Sequence, residues 1–154
     1  METIRNRHIV YGDTTFNVTM TFGITAGDDR KIEHIIRDAD KIDILKVNVD
    51  FPLEETYNVT SEELRRGQIT EEVLRCFEEE HAVLRSLKKT AVDNVVGHIS
   101  LVYELVYPVS LTLVVEQGYL DKLMDFSTEN PVTEKQFVRV REKMEEYMIR
   151  RRGN

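Results

Sequence analysis

Few residues in this chain have the types and spacing that could do chemistry. One such pair lies on the first long segment with helical periodicity. His34 and Asp38 are four positions apart, which places both side chains on one face of a helix. An imidazole and a carboxylate so placed can chelate a metal ion, but the same spacing is common in surface pairs. We therefore interpret the two residues as a surface histidine–carboxylate contact.

The other reactive side chains have equally simple interpretations. Cys76 precedes three glutamates at positions 78–80, whose negative charge opposes thiolate formation. His98 falls in an apolar segment, where a hydrogen-bonded core histidine is expected. The arginines at 150–152 could contact phosphate, but they are more simply the cationic end of the last helix. The sequence contains no glycine-rich phosphate loop and no CxxC, HExxH or Ser-His-Asp motif.

Composition limits the class of protein. The chain has 154 residues, 41% hydrophobic and 32% charged, with 21 basic against 28 acidic residues and a net charge of −7. This balance argues against disorder and disfavours nucleic-acid binding. A single cysteine excludes an internal disulfide and indicates a reducing compartment, the cytoplasm. His98, Glu104 and Pro108 interrupt the apolar stretch at 94–115, so it predicts buried helix and not a membrane span.

The beginning of the chain has the periodicity of a strand. Apolar residues occupy every second position from Phe16 to Phe22, which predicts a strand over Thr15 to Ile24. Gly12-Asp13 follows a short apolar run at 9–11, so a tight turn would complete a β-hairpin.

The period then changes to that of a helix. Spacings of three and four predict an amphipathic helix from Asp28 to about Val47, whose apolar stripe is Ile32, Ile35, Ile36, Ala39, Ile42 and Leu45. Helical patterns also predict segments from Thr70 to His81 and from Thr90 to Tyr107. The β-branched run at 109–117 is compatible with a strand or with a helix ended by the following glycine, and both alternatives stay open.

Two capping-box patterns mark further helix starts. Thr60 and Glu63 predict a short helix at Ser61–Arg66 within an otherwise irregular segment from residue 54 to 68. Thr133 and Gln136 predict the start of the last helix.

Five blocks of the helical part carry a family resemblance. They are Ile35–Asn48, Glu72–Phe77, Leu87–Asp93, Leu101–Leu105 and Glu116–Leu123. In this order the blocks resemble the helical C-terminal half of HD-domain metal-dependent phosphohydrolases. The Ala-Asp-Lys-Ile-Asp sequence within the first block is among the more specific matches.

This resemblance implies a divalent metal ion, Mg²⁺ or Mn²⁺, that activates water for attack on a phosphoester or nucleotide. The family binds its metal through a histidine, a His-Asp pair and a distant aspartate. The distant aspartate corresponds to Asp40, and Lys41 and Asp43 would support it without contacting the metal. No His-Asp dipeptide occurs in the sequence. Asp40 would therefore belong to an incomplete site, and no catalytic residue is assigned.

The N-terminal part resembles a different family. Residues 11–25, followed by 32–41, are similar to the last strands and helix of a GGDEF diguanylate cyclase domain. The substrate loop and the acidic residues that bind magnesium and GTP in that family have no counterpart in the sequence. We therefore expect a composite chain, with a hairpin segment at 1–27 and an HD-like helical segment at 28–154.

These observations predict a mainly helical protein with a short β-hairpin, α+β overall. The predicted function is that of an HD-type phosphohydrolase fragment that is inactive alone. Two alternatives are a non-catalytic interaction or regulatory module and a GGDEF remnant linked to cyclic-dinucleotide signalling. A second copy or a partner chain that completes the fold is the expected partner, whereas neither a membrane nor nucleic acid is expected.

Overall fold

The structure is a computed structural model that describes residues 7–11, 14–18 and 29–153. Helices follow one another along 29–153. The α-helices are α1 (Asp29–Asp50), α2 (Leu53–Tyr57), α3 (Ser61–Arg66), α4 (Glu71–Glu78), α5 (Ala91–Ile99), α6 (Pro108–Gln117), α7 (Tyr119–Met124) and α8 (Pro131–Arg152). Short 3₁₀ helices occupy Arg85–Leu87 and Ser100–Glu104.

The predicted α+β class is wrong. Residues 29–153 are 77% helical and contain no strand. Two five-residue segments, β1 (Arg7–Tyr11) and β2 (Thr14–Val18), pair antiparallel only with each other among the described residues. The class prediction failed because alternation reports local periodicity, whereas a sheet layer must also cover a core, and here helices cover one another. The predicted turn at 12–13 and the strand's remainder at 19–24 lie outside the described residues.

The capping box predicted from Thr60 and Glu63 is confirmed, and α3 begins there. Thr60 Oγ1 accepts a hydrogen bond from the Glu63 amide at 3.1 Å, and the Glu63 carboxylate accepts one from the Thr60 amide at 2.7 Å. The prediction of a helix from residue 28 to 47 is confirmed by α1. The segment after it is less irregular than predicted, because α2 forms there and ends at Asn58 in the left-handed conformation.

The ambiguous run at 109–117 is a helix. Pro108 occupies the first turn of α6, where its missing N–H costs nothing. Gly118 ends the helix at a φ of 69°, the left-handed conformation that glycine adopts without strain. The strand alternative failed because β-branched content is a weaker signal than a proline and a glycine at the two ends.

The capping box predicted at the start of the last helix is wrong. The N-cap of helix α8 is Asn130, three residues earlier than predicted, and its Oδ1 accepts a hydrogen bond from the Val132 amide at 2.9 Å. Thr133 and Gln136 are buried instead. The Thr133 hydroxyl donates to the carbonyl of Gly67 at 2.7 Å, and the Gln136 amide bonds both backbone groups of Ile69. These residues therefore attach α8 to the loop before α4.

Helices α1 and α3–α8 enclose one apolar core. Its largest fully buried side chains include Phe77, Phe137, Ile99, Leu111 and Met144, from four different helices. Burial of such side chains is the main favourable contribution to folding.

A buried carboxylate connects the first helix to the sixth. Asp38 on α1 is fully buried. It accepts hydrogen bonds from the amides of Val106 and Tyr107 at 3.0 Å and from the Ser110 hydroxyl at 2.7 Å. Tyr107 is the N-cap residue of α6 and provides no side-chain cap of its own. Asp38 therefore caps α6 from a different helix, where a negative charge also complements the helix dipole.

A second buried carboxylate has the same role for α4 and α5. Asp93 accepts from the amides of Thr70, Lys89 and Thr90 at 2.8–3.0 Å. Thr70 is the N-cap residue of α4 and forms no cap of its own. One side chain thus accepts hydrogen bonds from backbone amides at the starts of two helices.

Replacing Asp38 by alanine should destabilise the fold far more than replacing Asp40. The Asp38→Ala variant leaves buried amides at the start of α6 without an acceptor, so we expect the free energy of unfolding to fall by about 3 kcal/mol. The Asp40→Ala variant removes an exposed carboxylate from the same helix and should change it by less than about 0.5 kcal/mol. Urea denaturation followed by circular dichroism measures both. Equal losses would contradict the capping role.

Candidate functional site

One face of α1 borders a cleft of about 420 Å³. The residues on this face follow helical spacings of three and four and are Asp40, Asp43, Ile44, Val47 and Asn48. The remaining walls come from α2, from the segment around the first 3₁₀ helix, and from α5. They contribute Thr56, Tyr57, Arg85, Lys88, Asn94 and His98. A cleft of this size is in the range of small-molecule sites.

Three polar side chains form a closed network at one end of the cleft. Asn48 Nδ2 donates to the Ile44 carbonyl at 2.8 Å. This bond assigns Oδ1 as the free acceptor of the amide. The Tyr57 hydroxyl lies 2.5 Å from Oδ1, and His98 Nδ1 lies 2.8 Å from both.

The network determines the tautomer of the histidine. Asn48 Oδ1 can only accept, so the Tyr57 hydroxyl and His98 Nδ1 must both donate to it. A neutral His98 therefore carries its proton on Nδ1 and has an unprotonated Nε2. Burial, with a smaller effect from the charge of Lys88, lowers the pKa of His98 to about 4. Burial also raises the pKa of Tyr57, so the hydroxyl stays protonated.

The His98 Nε2 atom is open to the cleft. It forms no hydrogen bond within the described part of the chain. The one buried side-chain atom without a partner among those residues is the Tyr103 hydroxyl. Nε2 is therefore reached by solvent on the side where His98 lines the cleft.

Two cations line the cleft without a carboxylate partner. Arg85 and Lys88 form no ion pair with residues 29–153. The end of the Lys88 side chain lies over Gly97, where a Cβ atom would come within 2.5 Å of Nζ. Burial, followed by the charge of Arg85, lowers the pKa of Lys88, while Asp93 opposes this change. A half-buried cation without a counter-ion favours the binding of an anion, because part of its hydration has been lost.

Asp40 and Asp43, the metal ligand and the supporting residue implied by the resemblance, both line the cleft. Asp40 is exposed. Burial raises the pKa of Asp43, and Lys46 partly opposes this effect. Lys41, the other supporting residue, does not line the cleft. Its buried side chain pairs with Glu104 at 3.4 Å.

The donor set does not fit a divalent metal ion. In residues 29–153 no three His, Cys, Asp or Glu side chains are grouped so that they could hold one. The proposed surface pair of His34 and Asp38 is also wrong, because the Asp38 carboxylate is buried against α6. Asp40 thus faces the cleft without the further ligands that a hydrolytic metal site needs.

The sequence missed most of this site. Asn48 continues the helical spacing from Asp40, so its position in the cleft could have been inferred. Tyr57, Arg85 and Lys88 come from separate elements and no local pattern marks them. His98 was expected to be a bonded core histidine; it is bonded, but it borders the cleft.

Comparison of the chain with family models, curated proteins and solved structures gives no match. Among the helices that the structure describes, none combines the length and apolar character needed to cross a membrane.

His98 should remain neutral in the folded protein at pH values where an unfolded histidine is already protonated. Its folded pKa of about 4 lies below the ordinary 6.5. The stability that depends on the neutral ring is therefore complete above pH 6.5 and is lost as the pH falls towards 4. Nitrogen NMR of the ring should show the Nδ1–H tautomer at pH 7 and protonation only near pH 4.

A variant of Lys88 tests the smaller of the two causes that lower the pKa of His98. The Lys88→Ala substitution removes a nearby positive charge and should raise the pKa of His98. Titration of His98 at the ordinary value in the unaltered protein would contradict the burial of the ring.

Proposed function

We propose that the chain binds a phosphorylated small molecule in the cleft and does not hydrolyse it by itself. In this proposal it corresponds to the helical half of an HD-type phosphohydrolase and works as a non-catalytic binding module. The observation that carries the proposal is the pair of cations Arg85 and Lys88, which form no ion pair with residues 29–153 and lie on the wall of a cleft of about 420 Å³.

The chemistry of the two cations favours phosphate. An arginine presents a fork of N–H donors that matches phosphate oxygens, and a lysine adds a compact charge. Lys88 is half-buried, so part of its hydration has already been lost on folding. An anion that enters the cleft therefore replaces solvent at a cation that is incompletely solvated, which strengthens the interaction.

The opposite wall narrows the class of ligand. Asp40 and Asp43 give that wall negative charge, which repels an anion that fills the whole cleft. A suitable ligand therefore places its phosphate at Arg85 and Lys88 and a neutral or donor-rich part near α1. This asymmetry favours an organic phosphate over a polyanion that is long enough to reach Asp40 and Asp43.

Hydrolysis is not expected from this donor set. The resemblance implies metal-activated water, but the described residues lack a group of three ligands. Binding without turnover agrees with the fragment and regulatory-module predictions made from the sequence.

A cytoplasmic location stays a prediction from the single cysteine. Cys76 is a free thiol. Burial and then the charge of Glu79 raise its pKa, so it is poorly reactive at neutral pH.

Removal of the Lys88 charge should weaken phosphate binding. Pyrophosphate is the probe, with affinity measured by isothermal titration calorimetry at pH 7 without divalent metal. We expect Lys88→Ala and Arg85→Ala each to raise Kd roughly tenfold, the effect of one lost charge-assisted hydrogen bond. Lys89→Ala is the matched control, because Lys89 pairs with Glu72 at 2.9 Å and does not line this cleft.

Two results would overturn the proposal. Failure of the unaltered protein to bind pyrophosphate would remove the binding function. Turnover of a phosphodiester with Mn²⁺ or Mg²⁺ that Asp40→Ala abolishes would show that the chain is a complete enzyme.

Gly97 provides a variant that separates binding from stability. In Gly97→Ala the added Cβ displaces the flexible end of Lys88, so we expect weaker pyrophosphate binding. Alanine also favours the helix over glycine by up to about 1 kcal/mol, so the melting temperature should not fall. The contrasting control is Gly118→Ala, which is strained at a φ of 69° and should lower the melting temperature without changing affinity. Unchanged pyrophosphate affinity in Gly97→Ala would contradict the role of Lys88.

A further inference from the structure

We infer that His98 Nε2 is a ligand-binding atom that accepts a hydrogen bond from a hydroxyl group, so that the cleft selects hydroxyl-bearing organic phosphates. Sugar phosphates and the sugar-phosphate part of nucleotides belong to this class. The inference rests on the proposed phosphate site and adds to it the part of the ligand that is not phosphate.

The lone pair of the neutral His98 ring lies on Nε2. Asn48 Oδ1 accepts a hydrogen bond from Nδ1–H at 2.8 Å, so in the neutral ring Nε2 carries no proton. A neutral Nε2 accepts hydrogen bonds and cannot donate one. It therefore discriminates between ligand groups, because a hydroxyl can donate to it whereas a deprotonated phosphate oxygen cannot.

The His98 ring is held in one orientation by its neighbours. Tyr57 lies 2.8 Å from Nδ1 through its hydroxyl, and the centroids of the two rings are 5.3 Å apart. Asn48 is itself fixed by its bond to the Ile44 carbonyl. The ring is thus oriented before any ligand enters, which lowers the entropic cost of binding.

The proposed phosphate site lies in the same cleft as this acceptor. His98 and Lys88 are close enough for the lysine charge to lower the histidine pKa. Asn94 and Gly97 lie on the same face of α5 as His98, and the Lys88 side chain crosses that face at Gly97. An anion-binding cation and a neutral acceptor therefore stand side by side in one cleft.

This arrangement matches a molecule with a phosphate and a hydroxyl a few bonds apart. The phosphate oxygens accept from Lys88 and Arg85, and the hydroxyl donates to Nε2 in place of a water molecule. A phosphate ester without a hydroxyl leaves Nε2 with no donor once water is displaced, and this costs affinity.

The test compares ribose 5-phosphate with methyl phosphate, whose dianion, the main form at pH 7, has no O–H or N–H donor. Affinities are measured by NMR titration of the full chain at pH 7. We expect ribose 5-phosphate to bind about tenfold tighter. In His98→Phe the two affinities should become equal, because the ribose hydroxyls lose their acceptor and methyl phosphate no longer leaves Nε2 without a donor. In Tyr57→Phe, which keeps the ring nitrogen, the preference should persist.

A second measurement needs no variant and covers a His98→Phe protein that fails to fold. The Nε2 resonance of the unaltered protein should shift when ribose 5-phosphate is added and should not shift with methyl phosphate. Equal affinities for the two esters, or an unmoved Nε2 resonance at saturation with ribose 5-phosphate, would overturn the inference. Pyrophosphate binding under those outcomes would leave the proposed function standing, whereas its absence would overturn both.

Discussion

The buried carboxylate of Asp38 is the interaction on which the arrangement of this protein depends. From its position on α1 it accepts hydrogen bonds from two backbone amides and a hydroxyl at the start of α6. Neither helix can therefore rotate or slide without leaving the carboxylate or the two amides buried and unpaired. Residues of a helix advance by about 100° each. Asp40 and Asp43 therefore point away from Asp38, and its burial turns them towards the cleft.

Asp93 shows the same principle at the other side of the cleft. It holds the amide of Lys89 and the starts of α4 and α5. The segment that bears Lys88 is consequently anchored next to the helix that bears His98. Two structural carboxylates thus position the groups of the site while they themselves are unavailable to a ligand.

The cleft separates its charges from its neutral groups. The cations Arg85 and Lys88 have no partner among residues 29–153, whereas His98 is kept neutral by burial and by the nearby lysine. A protonated histidine beside Lys88 would add repulsion, and its Nε2 would become a donor. The same physical cause that disfavours protonation therefore maintains an acceptor beside an anion site.

The sequence by itself determined the local features of this protein. Helical spacing identified α1, and the box formed by Thr60 and Glu63 identified α3, because each signal lies within a few neighbouring residues. Gly118 ended α6, although the residues before it left helix and strand open. These features need only the chain's own periodicity and caps.

Only the tertiary structure decided what the polar residues do. Thr133 and Gln136 form a capping box in sequence, yet they bind the loop at 67–69, and Asp38 resembles a surface residue but caps a distant helix. The cleft combines Asp40 with His98 from separate elements. No local pattern contains such contacts, because burial and hydrogen-bond partners depend on packing between segments that are far apart along the chain.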